Sequence, residues 1–191
     1  DVALIQIKDG EMKVLDHEGD NFLGGADFDQ MIVEKFVIPK ISEEYNFSNL
    51  EDEMKSASGK FNAKYYVLLR RAEEAKITLS SKTSSEIVVD GFEDEDGKEV
   101  DMEITITRSE FNDLIKSNID GTIEMIKQIL TRNSLKPSDL QFNLMVGGST
   151  YIPYVRSRVE EVLQIPVNCE IDPTTAVAVG AAYYAATKPK E

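Results

Sequence analysis

Two glycine-bearing turns are the features of this sequence that could do chemistry, and the stronger one lies in the stretch NLMVGGSTYIP. Three apolar residues there lead directly into Gly147, Gly148, Ser149 and Thr150. Glycines let backbone amides approach a ligand closely, and successive amides next to hydroxyl groups form a concavity that binds anions. Phosphate fits such a turn, although a Gly-Gly pair before a helix is also common as an ordinary tight turn. No Gly-Lys-Ser/Thr follows, so the stretch is not a Walker loop.

A second glycine pair and one helix face extend the possible site. Gly24 and Gly25 precede a predicted helix, which indicates either a simple helix cap or another close approach of the backbone to a ligand. Glu73, Lys76 and Ser80 recur at spacings of three and four, so they share one face of a predicted helix. That face is either a solvated surface with a charge pair or a set of donors and acceptors that reads a ribose and a base.

Composition and charge argue against several other classes of site. Cys169 and His17 are the only residues of their types, so Cys-His catalysis and a His-rich metal site are excluded. We expect Cys169 to be a small apolar filler in a reducing compartment, the cytoplasm, and His17 to lie on a surface hairpin. The net charge of -14, without a Lys/Arg stripe, predicts that nucleic acid is not a partner. No apolar run is long enough for a membrane span.

The acidic run in GFEDEDGKE, residues 91–99, resembles half of a calcium loop. It lacks the later bidentate glutamate that such a loop requires. We therefore interpret it as a solvated turn with a hairpin tip at Asp96 and Gly97, and we predict no metal site within this chain.

The elements that must position the two turns alternate between strands and helices. Apolar periodicity predicts strands over residues 2–8, 12–15, 85–90, 100–107 and 140–146. It predicts helices from residue 27, within residues 50–81 with a break at Ser58 and Gly59, and from residue 109. The pattern is that of an α/β fold in which a mixed sheet is flanked by helices and an α+β subdomain is inserted. Asp1 opens directly into a strand, as in a piece of a longer chain.

Several helix ends can be assigned from single residues. Pro39 should kink or end the first helix, and Ser109 should be the N-cap of the long one. Pro153 should stand in the first turn of a helix, and Asp172 should cap a helix that begins at the next residue. Gly180 and the other small residues of that last helix predict close packing against a sheet. The long helix has an apolar stripe that consists of Phe111, Ile115, Ile119, Ile126 and Leu130.

Five stretches of this sequence occur in the order and rough spacing seen in DnaK-type seventy-kilodalton heat-shock chaperones. They are DVALIQIKDG, GDNFLGGADFD, AEEAKITLSS, LMVGGSTYIP and IDPTTAVAVGAA. The chain resembles the second lobe of the actin-like, ribonuclease H-like ATPase domain of that family over essentially its whole length. The resemblance implies an inner subdomain over residues 1–23 and 111–191 and an outer subdomain over residues 24–110.

The resemblance also implies a role for each motif. Asp1 would be the acidic residue that closes a phosphate loop near magnesium, and Gly24 and Gly25 would lie at the hinge between the subdomains. The adenosine would be hydrogen-bonded by Glu73, Lys76 and Ser80. The α/β-phosphate and ribose side would be lined by Gly147, Gly148 and Ser149.

The sequence departs from the family pattern at four positions. Ile77 and Tyr151 stand where the family has the two arginines that sandwich adenine, so an aliphatic and an aromatic side chain would take the two faces of the base. Thr174 stands where an acid is usual, and Ala26 where glutamate is usual. These departures are typical of a divergent member.

The implied activity is that of a chaperone ATPase in protein folding and the stress response. In the full-length protein, ATP or ADP with Mg would bind between two lobes, and hydrolysis would be coupled to peptide binding. The expected partners are the first lobe, a peptide-binding domain reached through a linker that starts at TKPKE, nucleotide-exchange factors and J-domain co-chaperones. Because the first lobe and its phosphate loops are missing, we predict that this chain alone does not hydrolyse ATP. Whether the isolated chain binds any nucleotide is left open.

Two other functional classes remain open from the sequence. One is a pseudo-ATPase or docking lobe with weak nucleotide binding, which Ile77, Tyr151 and Thr174 favour. The other is a different actin-like ATPase, such as a filament-forming protein or a sugar kinase, which would share the fold.

Overall fold

The computed structural model describes residues 1–168 and 172–186, which fall into two compact units. The terminal unit comprises Asp1–Asn21 and Asn118–Glu191, and the inserted unit comprises Phe22–Ser117. The predicted roles of Cys169 and of the TKPKE segment fall on residues outside those described. The helix α5 (Arg108–Arg132) begins in the inserted unit and ends in the terminal unit.

The remaining elements follow the predicted alternation. The strands are β1 (Val2–Lys8), β2 (Glu11–Glu18), β3 (Ser84–Glu93), β4 (Glu99–Thr107), β5 (Asn143–Leu144) and β6 (Val167–Asn168). The other α-helices are α1 (Gly25–Ile32), α2 (Ile38–Glu44), α3 (Leu50–Lys55), α4 (Asn62–Leu79), α6 (Pro153–Leu163) and α7 (Ala176–Ala186). In the described residues, no helix has both the length and the apolar composition needed to cross a bilayer.

The first helix of the inserted unit does not end at Pro39, which was one of the two outcomes predicted there, but its regular winding is interrupted just before the proline. A π-helical turn over Val33–Val37 joins α1 to α2, and the Ile38 amide donates to the Val33 carbonyl. The wider turn absorbs one residue, so the apolar positions on both sides of it fall on one buried stripe. Pro39 then stands in the first turn of α2, where its missing N–H costs little.

The helix α4 carries the polar face predicted to bind adenosine. Its opposite face is buried through Tyr65, Leu68, Ala72, Ala75 and Leu79. It follows the short helix α3, so the predicted break near Ser58 and Gly59 is confirmed. The β3–β4 hairpin pairs in antiparallel fashion beside α4, and its tip has Gly97 at a φ of 77°, as the Asp96-Gly97 turn predicts.

The long helix α5 is capped by Thr107, and the predicted cap at Ser109 is wrong. The Glu110 amide donates to the Thr107 hydroxyl at 3.2 Å, while the Glu110 carboxylate accepts from the Thr107 amide at 2.8 Å. This reciprocal capping box satisfies two amides at once, and Ser109, two residues later, already lies inside the helix. The predicted apolar stripe of α5 is buried at all five positions.

The terminal unit is built from the β1–β2 hairpin and the second part of α5 with α6. The hairpin turns at Asp9 and Gly10, both with positive φ, which confirms the predicted turn. Its return strand β2 reaches Glu18 and so is longer than expected. The core of this unit consists of Ile123, Ile126, Leu130, Met145, Val159 and Leu163.

The described residues form three separate two-stranded sheets, so the mixed sheet predicted for the core is divided into two pairs, while the hairpin of the inserted subdomain is separate, as predicted. β1 pairs with β2, β3 with β4, and β5 runs parallel to β6. The strand predicted over residues 140–146 is reduced to the two residues of β5. Apolar periodicity predicts which segments are extended, but it does not specify the edge with which each strand pairs.

The last helix differs from its prediction in two ways. The Asp172 carboxylate accepts from the Thr174 amide at 2.9 Å, as in a cap, but a hydrogen-bonded turn follows and α7 begins only at Ala176. A Cβ at Gly180 would meet no atom of the described residues within 4 Å, and Val177 and Tyr183 are more than 70% exposed. The expected close packing of α7 against a sheet is therefore wrong for this structure.

Candidate functional site

Lys76 is the predicted site residue with the most completely defined surroundings. Its ammonium nitrogen donates to the Gly25 carbonyl at 2.9 Å and to Oδ2 of Asp29 at 3.0 Å. Oδ1 of Asp29 lies 2.8 Å from the same nitrogen as an ion-pair contact but has no hydrogen bond of its own. The structure thus brings together two predicted site residues, Lys76 and Gly25, and adds Asp29 as a third.

Asp29 is the residue that sequence reasoning missed. It is only 7% exposed and lies in α1, four residues after Gly25. Because Ile32 and Val33 follow it by three and four positions, Asp29 interrupts an apolar stripe. A carboxylate at a stripe position was the available signal, since a buried charge requires a partner.

The surroundings of Asp29 act on its charge in opposing ways. Burial raises the pKa of the carboxyl above its ordinary value and is the largest effect. The hydrogen bond and positive charge of Lys76 lower the pKa of Asp29, and the negative charge of Glu73 raises it again. Glu73 is exposed, so one of the two carboxylates that act on this site is buried and the other is accessible.

The other predicted residues of the α4 face are accessible. Ile77 is 62% exposed, and Ser80 is partly buried at the C-terminal end of the helix. The Ser80 amide donates to the Ile77 carbonyl at 3.1 Å, which closes the last turn. Glu73, Lys76 and Ser80 therefore share one face, as their spacing predicts, while Ile77 offers an apolar surface beside it.

Gly24 has the geometry of an ordinary helix cap. Its amide donates to the Asp27 carboxylate at 2.7 Å, and the Asp27 amide donates back to the Gly24 carbonyl at 3.2 Å. Its backbone is extended, and a Cβ there would come no closer than 3.7 Å to Asp27. The role of Gly24 at an inter-subdomain hinge stays a prediction.

The second glycine turn lies in the terminal unit and begins with an unusual backbone. Gly147 has a φ of 95° and donates its amide to the Pro173 carbonyl at 2.8 Å, after which residues Gly148–Tyr151 form a 3₁₀ turn. Such a φ favours glycine. Among the described residues, the amides of Gly148 and Ser149 have no acceptor. They are two neighbouring donors of the kind to which an anion could bind.

Tyr151 ends this turn and is already engaged on one side. Its hydroxyl donates to the Asp172 carboxylate at 3.0 Å, and the Arg156 guanidinium lies 5.3 Å from the ring centroid. The hydrogen bond raises the pKa of Tyr151, and hydrogen bonds from Thr174 and Tyr151 lower the pKa of Asp172. The ring is 41% exposed, so part of it stays open to a planar ligand.

Asp1 lies at the start of β1, close to the end of β2. A Cβ at Gly19 would lie 2.0 Å from Oδ1 of Asp1, so a side chain there would displace this carboxylate from its present position. Asp1 is exposed. Within the described residues, no group of three or more His, Cys, Asp or Glu side chains is arranged to hold a metal ion. Magnesium near Asp1 would therefore need further ligands, such as phosphate oxygens.

The predicted site residues fall into two sets, one in each unit. Gly24, Gly25, Glu73, Lys76, Ile77 and Ser80 belong to the inserted unit. Asp1, Gly147, Gly148, Ser149 and Tyr151 belong to the terminal unit. The convergence of the two sets on one crevice stays a prediction.

A cavity of about 370 Å³ lies on a different face of α4 from Lys76. Its polar and apolar lining comes from Arg71, Glu74, Thr78, Ser85, Glu86 and Val88. Arg71 donates to the Val88 carbonyl of β3 at 2.6 Å. None of the predicted site residues lines this cavity.

Comparison with known proteins gives one consistent answer. The family model described as Hsp70 protein matches residues 1–189. The DnaK chaperone of Mycoplasmopsis pulmonis is 35% identical over 182 residues, which are 95% of this chain and 29% of the relative. That of Thermosipho melanesiensis is 33% identical over 186 residues, covering 97% of this chain and 30% of the relative. The chain thus spans less than a third of the length of these curated relatives.

Proposed function

Because the chain belongs to the Hsp70 family, we propose that it is the second lobe of the ATP-binding domain of a DnaK-like chaperone and supplies one wall of its nucleotide cleft. The match across residues 1–189 carries this proposal, since it includes all the motifs on which the resemblance rests. It also favours the chaperone branch over the filament-forming proteins and sugar kinases of the actin-like superfamily.

The donors and acceptors described above fit a nucleoside phosphate. On α4, Lys76 would donate to the ribose, with Glu73 and Ser80 beside it. The amides of Gly148 and Ser149 would take phosphate oxygens, because neighbouring amides without acceptors suit an anion.

Two exposed side chains would take the base. Ile77 would cover one face of adenine, and the open part of the Tyr151 ring would cover the other. Neither supplies the positive charge of the arginines usual in the family.

Magnesium would enter with the nucleotide, and Asp1 would be its nearest acid in this chain. The ion would neutralise developing phosphate charge during hydrolysis, while the residues of this lobe would hold and orient the nucleotide. In the whole protein, closure of two lobes on ATP would change the affinity of a peptide-binding domain. The first lobe, that domain, exchange factors and J-domain proteins would be its partners in the cytoplasm.

One cleft wall supplies only part of the positioning and charge stabilisation that phosphoryl transfer needs. The 191-residue chain alone should therefore show no useful magnesium-dependent ATP turnover, whereas the intact natural protein should hydrolyse ATP. A steady-state assay of phosphate release from both proteins tests this. Clear ATP turnover by the isolated chain would refute the proposal that both lobes are needed for hydrolysis.

A divergent lobe with weak nucleotide binding is the second candidate function. The observation that favours it is the engagement of Tyr151 by Asp172 and Arg156, together with an aliphatic side chain at Ile77. Calorimetric titration of the intact protein with ADP and ATP separates the two candidates. Submicromolar binding supports the ATPase, and an absence of heat supports the docking lobe.

A further inference from the structure

The ammonium group of Lys76 has one donor left after its contacts within the protein. An ammonium carries three N–H groups, and here one donates to the Gly25 carbonyl and one to the Asp29 carboxylate. The side chains of Lys76 and Asp29 are only 12% and 10% exposed, so neither moves freely in solvent. The two acceptors fix the position of the nitrogen and therefore the direction of the remaining donor.

Stability alone does not explain the burial of this ion pair. Removing two charges from water costs free energy that their attraction in the protein often fails to offset. The rise in the pKa of Asp29, despite the neighbouring lysine, is the sign that desolvation dominates. Well-packed apolar side chains at both positions would hold α1 and α4 together at least as well.

Glu73 supplies an accessible acceptor on the same face of α4 as Lys76. It precedes Lys76 by three residues on α4, is exposed, and lies near enough to Asp29 to affect its charge. A vicinal diol offers hydroxyl hydrogens to a carboxylate and oxygen lone pairs to an ammonium. One fixed N–H beside one accessible carboxylate therefore matches a ribose.

We propose that Asp29 is a positioning residue that holds Lys76 so that its remaining N–H donates to the ribose diol of the bound nucleotide, with Glu73 accepting from the same diol. This inference rests on the proposed nucleotide-binding function. Asp29 touches no ligand atom and acts through Lys76 and its hydrogen bond to the backbone at Gly25.

The test compares ADP with 2′,3′-dideoxy-ADP, which lacks both ribose hydroxyls, in calorimetric titrations of the intact natural protein. The wild-type protein should bind ADP more tightly than the dideoxy analogue. Asp29→Asn keeps the side-chain shape but removes the charge, so it should weaken ADP binding about tenfold and leave the binding of the analogue nearly unchanged. The preference for ADP should therefore be largely lost.

Two further variants separate positioning from a general loss of structure. Tyr65→Phe removes a 2.7 Å hydrogen bond to Glu34 in the same unit, also at a mostly buried side chain, and should leave the ADP preference intact. In a Lys76→Met background the preference should already be as low as in Asp29→Asn, because only Glu73 still contacts the diol, and adding Asp29→Asn should not lower it further. Thermal melts of each variant show whether it is folded under the titration conditions.

The outcomes distinguish this inference from the function on which it rests. If the wild-type protein binds neither nucleotide, the proposed function fails and the inference with it. If wild type binds ADP but Asp29→Asn weakens ADP and the analogue equally, only the positioning role of Asp29 is overturned. If the Asp29→Asn protein still prefers ADP to the dideoxy analogue as strongly as wild type does, the positioning role of Asp29 is likewise overturned.

Discussion

Two aspartate–cation pairs, one in each unit, make similar contacts in opposite surroundings. In the terminal unit, the Arg132 guanidinium holds Asp16 through two hydrogen bonds of 2.8 Å and reaches Glu18 at 3.0 Å. The Arg132 side chain is 48% exposed and that of Asp16 is 19% exposed. In the inserted unit, Lys76 holds Asp29 with both side chains almost fully buried. The two carboxylates are paired about equally closely, and the burial of the cation is the largest difference between the pairs.

The pKa values of these two carboxyls move in opposite directions as a result. Hydrogen bonds from Arg132 and Asn133 lower the pKa of Asp16 to about 2. Burial raises the pKa of Asp29 in spite of Lys76. The exposed pair attaches β2 to the end of α5 without losing much hydration, whereas the buried pair loses the hydration of both charges. A charge pair kept at such a cost is a candidate for function, and the exposed pair is not.

Removal of one cation should give the largest difference in stability loss between the two pairs. Lys76→Met leaves the Asp29 carboxylate buried without a counter-charge, which should lower the free energy of unfolding of the inserted unit by about 3 kcal/mol. Arg132→Met leaves Asp16 in contact with water, so its effect on the terminal unit should be much smaller. Hydrogen exchange read by mass spectrometry reports the stability of each unit separately. Equal losses in the two units would contradict the comparison.

Removal of both partners should reverse much of the first effect. Asp29→Leu combined with Lys76→Met eliminates both buried charges, and the inserted unit should return to within about 1 kcal/mol of wild type. The matched change in the terminal unit, Asp16→Leu with Arg132→Met, should bring no recovery over Arg132→Met alone. The same exchange measurement applies. A double variant of the inserted unit as unstable as Lys76→Met would show that desolvation is not the dominant cost.

Acid should change the contributions of the two carboxyls to the free energy of unfolding in opposite directions. The stability that Asp16 contributes is present above its ordinary pKa of 3.8 and is lost as the pH falls through about 2. Asp29 contributes most below its ordinary pKa, and that contribution is lost as the pH rises through its raised folded value. Carboxyl carbon chemical shifts, titrated by NMR, should show Asp29 protonating well before Asp16. In Asp16→Asn the terminal unit should lose its stability change between about pH 4 and pH 2.

Salt should give the smallest difference. The screening length falls from about 10 Å at about 0.1 M salt to about 3 Å at about 1 M. The shorter screening length weakens the attraction between charges that are in contact with water. The coupling between Arg132 and Asp16, from a double-mutant cycle, should decrease over that range, while that between Lys76 and Asp29 should hold. A buried coupling that decreases equally would indicate that water reaches Lys76.

Local chemistry made part of this architecture predictable. The spacing of Glu73, Lys76 and Ser80 placed them on one helix face, and the Asp9-Gly10 turn fixed a hairpin, because both depend on residues close in sequence. The contact between Lys76 and Asp29 joins residues 47 positions apart. Sequence periodicity does not predict a contact between residues so far apart. The position of Asp29 within an apolar stripe was the one indication that it needs a partner.

Competing local signals explain most of the errors. Ser109 and Thr107 are both plausible caps, and the glutamate three residues after Thr107 decides between them. Pro39 was expected to kink or end a helix, but a π turn precedes it, and the proline stands in the first turn of α2, where its missing N–H costs little. The partners of the short strand β5 depend on the packing of distant segments, which the sequence does not display.

The widened winding at Val33–Val37 bears on how related chains can vary in length. The π turn accommodates one extra residue within a continuous helix, and the buried faces of the helical segments before and after it stay aligned. A homologue that lacks one residue between Phe28 and Ile41 could keep both of these buried by winding as a plain α-helix. A single-residue gap here would then record a change of pitch, with the same side chains facing inward before and after it.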